Sequence, residues 1–293
     1  VPIHGNYRGY YAKRPSPLSD PRLQHIPPKT FIGARVLDVG CNEGWVTCEI
    51  AQVWGASKVV GVDIDESLVE GAWRRRRTLW SSQGPDAYKD STSQREQSKE
   101  EEEGPPKKKR KRAKTSSQTT ELPTASGAAL HTDNALKARN HFPASCEHEF
   151  GSLPIPPSCS RGKEVFPHNV SFRCADWTGT DIVEDSTGYD VVVAFSISKW
   201  IHLNALDAGL TSFFRKVHKV LVEGGVFILE PQLWDSYAKA RRLSDTLKEN
   251  AKKLKLKPED FQGVLEEIGF RHETRIEVGE GGFARPVDLY VKS

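Results

Sequence analysis

Residues 34–44 read ARVLDVGCNEG and residues 58–65 read KVVGVDID. Ala34–Val39 is a mostly apolar run of strand formers, and it ends in a turn holding Gly40 and Gly44. Trp45–Trp54 (WVTCEIAQVW) continues with apolar residues at helical spacing, Lys58–Val62 is a second strand, and Glu66–Trp80 is a second helix. Gly40 permits the tight turn, and Gly44 lets a ligand or the following helix come close to the backbone. Roughly 20 residues further on, Asp63 closes the second strand, where a carboxylate can accept hydrogen bonds from two ribose hydroxyls. This order of strand, glycine turn, helix, strand and acid puts a nucleotide-type ligand at the carboxyl edge of a parallel sheet.

The alternation continues outward from this unit. Val170–Cys174 (VSFRC), Tyr189–Phe195 (YDVVVAF) and Val226–Glu230 (VFILE) read as strands, with a helix over Ala205–Val222 that Gly224-Gly225 is placed to stop. The tail predicts a helix over Pro258–Ile268, then Glu273–Val278 and Pro286–Val291 as an antiparallel pair on the sheet edge. Continuous β-branched strands separated by helices imply a sheet buried on both faces. The predicted fold is α/β: a doubly wound, mostly parallel, Rossmann-like sheet with an antiparallel C-terminal edge, in a single domain over residues 1–293.

A long insert interrupts that domain. Residues 81–162 are rich in Ser, Thr, Gln, Lys, Glu and Pro and poor in branched apolar residues. Such a composition cannot bury enough surface to offset its ordering entropy, so 81–162 is predicted to be a disordered low-complexity insert, with a short helix near Asn134–Asn140. Its sharpest feature is Glu100–Glu103, two prolines, and then the basic run Lys107–Arg112. That run suits an import receptor reading extended Lys/Arg; a solvated charge run is the plain alternative. The 293 residues carry 42 Lys+Arg and 39 Asp+Glu, a net +3, of which residues 83–165 supply +2. Bulk charge therefore does not mark a polyanion binder, and any basic site must be local.

Other features exclude whole classes. No apolar run approaches the ~20 residues of a membrane-spanning helix, and residues 1–14 (VPIHGNYRGYYAKR) lack the apolar core of a signal peptide. Met is absent throughout, position 1 included, which reads as a trimmed domain or as replaced Met. Five scattered Cys without a C-x-x-C pair fit a reducing compartment. His141, Cys146 and His148 are neighbours without a fourth ligand at zinc spacing, so no metal is expected.

Two cofactor classes compete for the glycine turn. A dinucleotide site wants G-x-G-x-x-G, because a pyrophosphate needs close glycine approach at three positions. Here Asn42 stands in place of the second Gly, and Asp38 precedes the turn, where a carboxylate would repel a pyrophosphate and suit a cationic amino-acid ligand. The pattern resembles the motif of class I methyltransferases, whose S-adenosyl-L-methionine carries a sulfonium and an ammonium but no phosphate. That resemblance implies a cofactor site built from Asp38, Gly40, Asn42, Gly44, Asp63, Ile64 and Asp65, with Asp176 and Trp177 beside the adenine. The product would be S-adenosyl-L-homocysteine. Asp38 as a turn cap and Trp177 as core remain open readings.

The segment Ser196–Asn204 (SISKWIHLN) groups a cation, an indole, an imidazole and an amide at the carboxyl end of a strand. It holds neither the Asp/Asn-Pro-Pro-aromatic box of base-amine methylation nor the Cys nucleophile of cytosine C5 chemistry. Lys199 is a natural point-charge partner for a phosphate; the plainer reading packs Trp200 and leaves Lys199 and His202 on the surface.

GNYRGYYAKR (5–14), LDVGCNEG (37–44), GVDID (61–65), SISKWIHLN, LEPQLW (229–234) and GFARPVDLY (282–290) occur in this order. Together they resemble the 7SK-type small nuclear RNA methylphosphate capping enzymes, the bicoid-interacting group of RNA methyltransferases. The resemblance covers both ends of the chain and fails over the insert, and Arg8-Gly9 departs from the first motif. It implies methyl transfer to the 5′-terminal (γ) phosphate of a small nuclear RNA, with relatives acting on 5′-monophosphates. Tyr10, Tyr11 and Arg14 would close the cofactor and phosphate pocket, and Asn6 would touch the cofactor. Lys199 and His202 would hold the phosphates or first nucleotide, Trp200 would shape the wall, and Arg285 would contact RNA or phosphate. The resemblance also implies a nuclear protein that works with a 5′-phosphorylated small non-coding RNA and a La-related RNA-binding protein. The rivals are an RNA-binding scaffold of a small nuclear ribonucleoprotein and a small-molecule or protein methyltransferase.

A phosphate oxygen is already anionic at neutral pH, so its attack on a sulfonium methyl requires no general base and no metal. The protein must hold oxygen, methyl carbon and sulfur in line and grip the other phosphate oxygens with cations. His202 therefore suits hydrogen-bond donation better than base catalysis. Beyond the 5′ end, Arg74–Arg77 splay over several faces of one helix, a solvated run or an RNA contact. Lys248, Lys252, Lys253, Lys255 and Lys257, with Arg241-Arg242, can track a phosphate backbone. Phe283 and Tyr290 are candidates for base stacking or for packing.

Overall fold

The computed structural model describes residues 2–11, 19–83, 142–278 and 285–293. Its strands are β1 (Arg35–Val39), β2 (Lys58–Asp63), β3 (Val170–Cys174), β4 (Tyr189–Phe195), β5 (Leu221–Glu230), β6 (Phe270–Ile276) and β7 (Val287–Lys292). They form a sheet in the order β3-β2-β1-β4-β5-β7-β6. β1 to β5 are parallel, and β7 runs antiparallel to both β5 and β6. This is the predicted doubly wound sheet with an antiparallel C-terminal edge. The chain winds one way from β1 to β3 and the other way from β4, and the switch between β1 and β4 opens a crevice at their carboxyl ends.

The helices are α1 (Pro21–His25), α2 (Trp45–Val53), α3 (Glu66–Ser81), α4 (Ala144–Phe150), α5 (Ser158–Arg161), α6 (Ser198–Val220), α7 (Tyr237–Ala240), α8 (Asp245–Ala251) and α9 (Phe261–Ile268). Alternate strand residues point to opposite faces, and two cores result. Val36, Val59, Val191, Val193 and Ile228 pack with Ile50 and Ala72 on the side of α2 and α3. Leu37, Val39, Val60, Val192 and Phe227 pack with Phe213, Phe214 and Phe261 on the side of α6 and α9. A smaller cluster of Trp200, Leu203, Tyr237, Ala240 and Leu247 joins α6, α7 and α8.

Three features differ from the sequence expectation. First, α6 begins at Ser198 rather than Ala205, drawing the SKWIHLN segment into the helix, and it breaks at Leu206 (φ 62°, ψ −174°), a backbone region that strongly favours glycine. Secondly, α6 ends at Val220, and Gly224-Gly225 lie beyond it, where β5 bulges between the pairs Tyr189–Leu221 and Val191–Val226. Thirdly, the end of the expected unpacked insert is tied to α3. The Leu153 N–H donates to Ser81 Oγ (2.8 Å), the Trp80 indole donates to the Pro154 carbonyl (3.0 Å), and Arg161 lies 4.4 Å from the centre of the Trp80 ring. Polar groups at the end of α3 satisfy this segment, so it packs without an apolar core of its own.

Lys107–Arg112, the helix expected near Asn134–Asn140, His141 and Phe283 lie outside the described residues. Tyr290 is buried among Phe227 and Phe270, so it packs rather than stacks a base. Arg75 lies over Trp45 and Arg76 over Trp73, while Arg74 pairs with Glu70, as four successive helical positions require. Among the described residues, no helix is long and apolar enough to cross a membrane.

Candidate active site

A cavity of about 690 Å³ opens at the carboxyl ends of β1, β2 and β4, a volume suited to a small ligand. One end is lined by Asn6, Gly40, Asn42, Asp63, Ile64, Asp176 and Trp177, and the other by Tyr10, Ser196, Lys199, Ser236, Lys239 and Arg285. The first end accepts hydrogen bonds; the second donates them.

At the acceptor end, Gly40 has φ 77°, and a Cβ there would lie 2.5 Å from Ile197 Cδ1. Only glycine lets the β1 turn come this close to the segment after β4. Asn42 (φ 50°) occupies the left-handed region that Asn tolerates. Its backbone N–H donates to Asp63 Oδ2 (2.8 Å), and the Asp65 N–H donates to Asp63 Oδ1 (3.0 Å). The carboxylate is thereby aimed, with lone pairs left for a ligand. Burial raises the Asp63 carboxyl above its ordinary value, while the backbone donors of Asp65 and Asn42 hold it down.

The N-terminal segment closes over this end. Asn6 Nδ2 donates to Asp65 Oδ2 (2.7 Å), and Asn42 Nδ2 donates to the Tyr7 carbonyl (3.1 Å). Gly5 sits so tightly on Trp200 that a Cβ would fall 2.2 Å from its Nε1. Both amide nitrogens are thus committed to acceptors. The Oδ1 atoms of Asn6 and Asn42 are buried without a hydrogen-bond partner among the described residues. Two such oxygens beside a carboxylate call for donors. The ammonium of an amino-acid ligand supplies such donors, whereas a pyrophosphate supplies none, so these residues fit S-adenosylmethionine better than a dinucleotide.

Four cofactor assignments need correction or narrowing. Asp38 does not line the cavity: strand alternation turns it to the α2 side, where it is buried and accepts from Thr47 Oγ1 (2.6 Å). Burial pushes its carboxyl up to about 6, against the Thr47 hydrogen bond. Gly44 precedes α2 and lies against Ala72 and Phe172, each of which a Cβ would meet at 2.9 Å, so its smallness serves packing. Asp65 caps α3 through the Ser67 N–H (2.9 Å) and meets the cavity through its neighbours, its side chain accepting from Asn6 and its backbone N–H donating to Asp63. Trp177 lines the cavity, but its indole is 2% exposed, meets Phe213 edge-on and donates to Asp185 (3.0 Å); most of it is core.

The cation end is assembled from distant segments. Ser196 (φ 60°) ends β4; its hydroxyl accepts from Tyr10 Oη (3.1 Å) and Arg285 Nη2 (2.6 Å) and donates to Glu230 Oε2 (2.6 Å). Glu230, fully buried at the end of β5, accepts from Arg285 Nε (3.0 Å) and from Arg22 Nη1 (2.5 Å). Arg22 is also held by Asp20 and lies 4.1 Å from the centre of the Phe195 ring. Burial alone would lower the Arg22 pKa, but Glu230 and Asp20 more than reverse this. Glu230, itself held by Arg22 and through it by Asp20, thus fixes the direction of Arg285.

Lys199 stands in the first turn of α6. Its Nζ donates to Ser236 Oγ (3.2 Å) and lies 4.9 Å from the Trp200 ring centre, and its backbone N–H donates to Gln232 Oε1 (3.0 Å). Burial, helped by the positive Arg285, lowers its ammonium to about 8. Tyr11 lines the cavity from a stack on Trp45, ring centres 5.8 Å apart. Arg14 lies outside the described residues.

His202 is corrected outright. It is fully buried, it does not line the cavity, and its ring nitrogens contact Asp207 Oδ1 (2.7 Å) and Tyr237 Oη (3.2 Å). One turn along α6 from Lys199, its ring meets Tyr237 and Phe261 edge-on, inside the core rather than at the cavity. Burial lowers its pKa despite Asp207. It braces α6 against α7 and does not grip a phosphate.

Sequence reading missed Arg22, Asp20, Glu230 and Gln232. One signal was present: Glu230 ends a buried apolar strand, and a buried carboxylate must be paired. Its partners, 208 and 55 residues away, had no such signal.

Residues 189–292 match the family model for bicoid-interacting protein 3, and residues 36–85 match a methyltransferase-domain model. The 7SK snRNA methylphosphate capping enzyme of Homo sapiens is 36% identical over 301 residues, covering 99% of this chain and 39% of that protein. A probable RNA methyltransferase of Arabidopsis thaliana is 32% identical over 271 residues, 91% of this chain and 72% of its own length. The U6 snRNA methylphosphate capping enzyme of Drosophila melanogaster is 25% identical over 299 residues, 99% and 75% of the respective chains. The chain thus spans about two fifths of the length of its human relative.

Proposed function

We propose that this chain, which belongs to the bicoid-interacting protein 3 family of snRNA methylphosphate capping enzymes, transfers a methyl group to the 5′-terminal (γ) phosphate of a small nuclear RNA. The observation that carries this reading is the two-ended cavity, with orphaned buried acceptors at one end and braced cations at the other. S-adenosylmethionine, when bound, supplies a methyl group made electrophilic by a sulfonium. Asp63 is suited to its ribose hydroxyls, and the free oxygens of Asn6 and Asn42 to its ammonium.

Arg285 and Lys199 grip the phosphate oxygens that do not react, and the Tyr10–Ser196 pair borders the same space. The terminal phosphate arrives already anionic, so no side chain has to remove a proton. The burial of His202 away from the cavity agrees with this chemistry. The contribution of the protein is alignment and charge placement, while Gly5 against Trp200 helps to keep water out.

A nuclear location fits an snRNA substrate, and Lys107–Arg112 would serve import. A La-related protein as partner rests on the resemblance alone. The test is transfer of radiolabelled methyl from the cofactor to a 5′-triphosphorylated RNA and to its dephosphorylated copy, followed by mass analysis of the 5′ nucleotide. Label should appear only on the phosphorylated RNA, as a methyl ester of the terminal phosphate. Equal labelling of both copies would reject the reading.

A further inference from the structure

Residues 239–257 hold eight Lys/Arg against Asp245 and Glu249, a net +6 in a chain whose total is +3. All eight cations are exposed. The run begins at the cavity, where Lys239, Ala240 and Leu243 line its mouth. Its apolar residues anchor it: Leu247, Ala251 and Leu254 pack with Trp200 and Tyr237. On α8, Leu247 and Ala251 face inward, and Lys248 and Lys252, each one position further on, are exposed.

After α8 the pattern changes period. Leu254 and Leu256 are half-buried, while Lys255 and Lys257 between and beyond them are exposed. The backbone N–H groups of Lys255 and Leu256 donate to the Asp207 carboxylate (3.0 and 3.4 Å). Asp207 is the residue that also holds His202, so the strip is pinned to the helix that carries Lys199. Alternate residues of an extended chain repeat at about 6.7 Å, a spacing comparable with that of successive phosphates along a nucleic-acid strand.

We infer that residues 239–257 form a docking strip for the phosphate backbone of the RNA leading away from the reacting 5′ end. The strip starts at Lys239 and runs on through Lys253, Lys255 and Lys257. This rests on the reading of the cavity as an RNA 5′-phosphate site, and it adds a surface that acts on the body of the RNA rather than on its terminus. An anchored strip with a local excess of charge is an electrostatic footprint for nucleic acid, and binding through it releases counterions.

The test is fluorescence anisotropy with the 293-residue chain and its K253Q/K255Q/K257Q variant, on one RNA carrying either a 5′-triphosphate or a 5′-hydroxyl. The variant should weaken both RNAs by a similar factor, about tenfold at low salt. The slope of log affinity against log salt should become shallower by about two, near 0.7 per lost phosphate contact on a single strand. Calorimetric cofactor binding reports that the variant is folded. Unchanged affinity and slope, or a loss confined to the triphosphorylated RNA, would overturn the strip. Failure of the capping reading is distinguishable, because the unmodified chain would then bind both RNAs equally and methylate neither.

Discussion

The acceptor end of the cavity comes largely from two short segments, residues 39–42 and 62–64, closed over by Asn6. The cation end draws on Tyr10, Ser196, Lys199, Glu230 and Arg285, braced from beneath by Asp20 and Arg22. Backbone conformation does most of the work in the first. Gly40 and Asn42 adopt positive φ, their turn aims one N–H at Asp63, and two amide oxygens are left for a ligand. The second has a different problem. Cations brought together in a partly dry space repel one another unless buried carboxylates offset them. Glu230 is that offset, and each of its oxygens serves a different arginine. An acceptor site can therefore be made locally, whereas a cation site needs counter-charges drawn from across the sheet.

The strongest way to break the comparison is at that counter-charge. Glu230→Gln leaves Arg22 and Arg285 with Asp20 as their remaining carboxylate in this network. Urea unfolding should show a loss of about 3 kcal/mol or more, and methyl transfer should fall with it. A variant as stable as the parent would mean that the buried network is not the brace described.

Lys199→Ala removes a cation without disturbing the brace. Its KM for phosphorylated RNA should rise about 30–100-fold, in line with the ~2–3 kcal/mol of a charged hydrogen bond. Cofactor affinity by calorimetry should stay within about twofold, and a large loss of it would erase the division between the two ends. The mirror experiment is Asp63→Asn, which should weaken the cofactor about tenfold and leave RNA affinity in place.

The smallest effect expected is in the pH profile. Lys199 is charged below about 8 and loses its proton as pH rises through that value. RNA KM should climb above pH 8 in the parent and stay flatter in Lys199→Ala, while cofactor affinity stays level in both. The stability linkage has a definite sign. Because burial depresses this ammonium below its ordinary 10.5, the unfolded chain binds the extra proton between about 8 and 10.5, so this group adds stability as pH rises through that window.

The alternation of apolar strands and amphipathic helices, the glycine turn and the acid after β2 were legible because each is a local signal. Period, turn chemistry and capping act within about 20 residues. Seven strands and the antiparallel edge followed from them. The SISKWIHLN segment was legible as a cluster of chemistry but not as a set of directions. Lys199 and His202 are one turn apart on α6, and only what packs against each turn, the cavity at the first and Tyr237 and Phe261 at the second, decides which is exposed to a ligand. Asp38 was misplaced in a strand, where one step exchanges the two faces.

By itself, then, the sequence determined the architecture, the nucleotide-type crevice and the presence of a cation just after β4, because these depend on neighbours along the chain. The tertiary structure alone decided which side chains face the crevice and what holds them there. Glu230, Arg22 and Arg285 meet only once β5, the N-terminal segment and the C-terminal edge have docked. Electrostatic pairing depends on distance in space, and that distance is set only when the sheet closes.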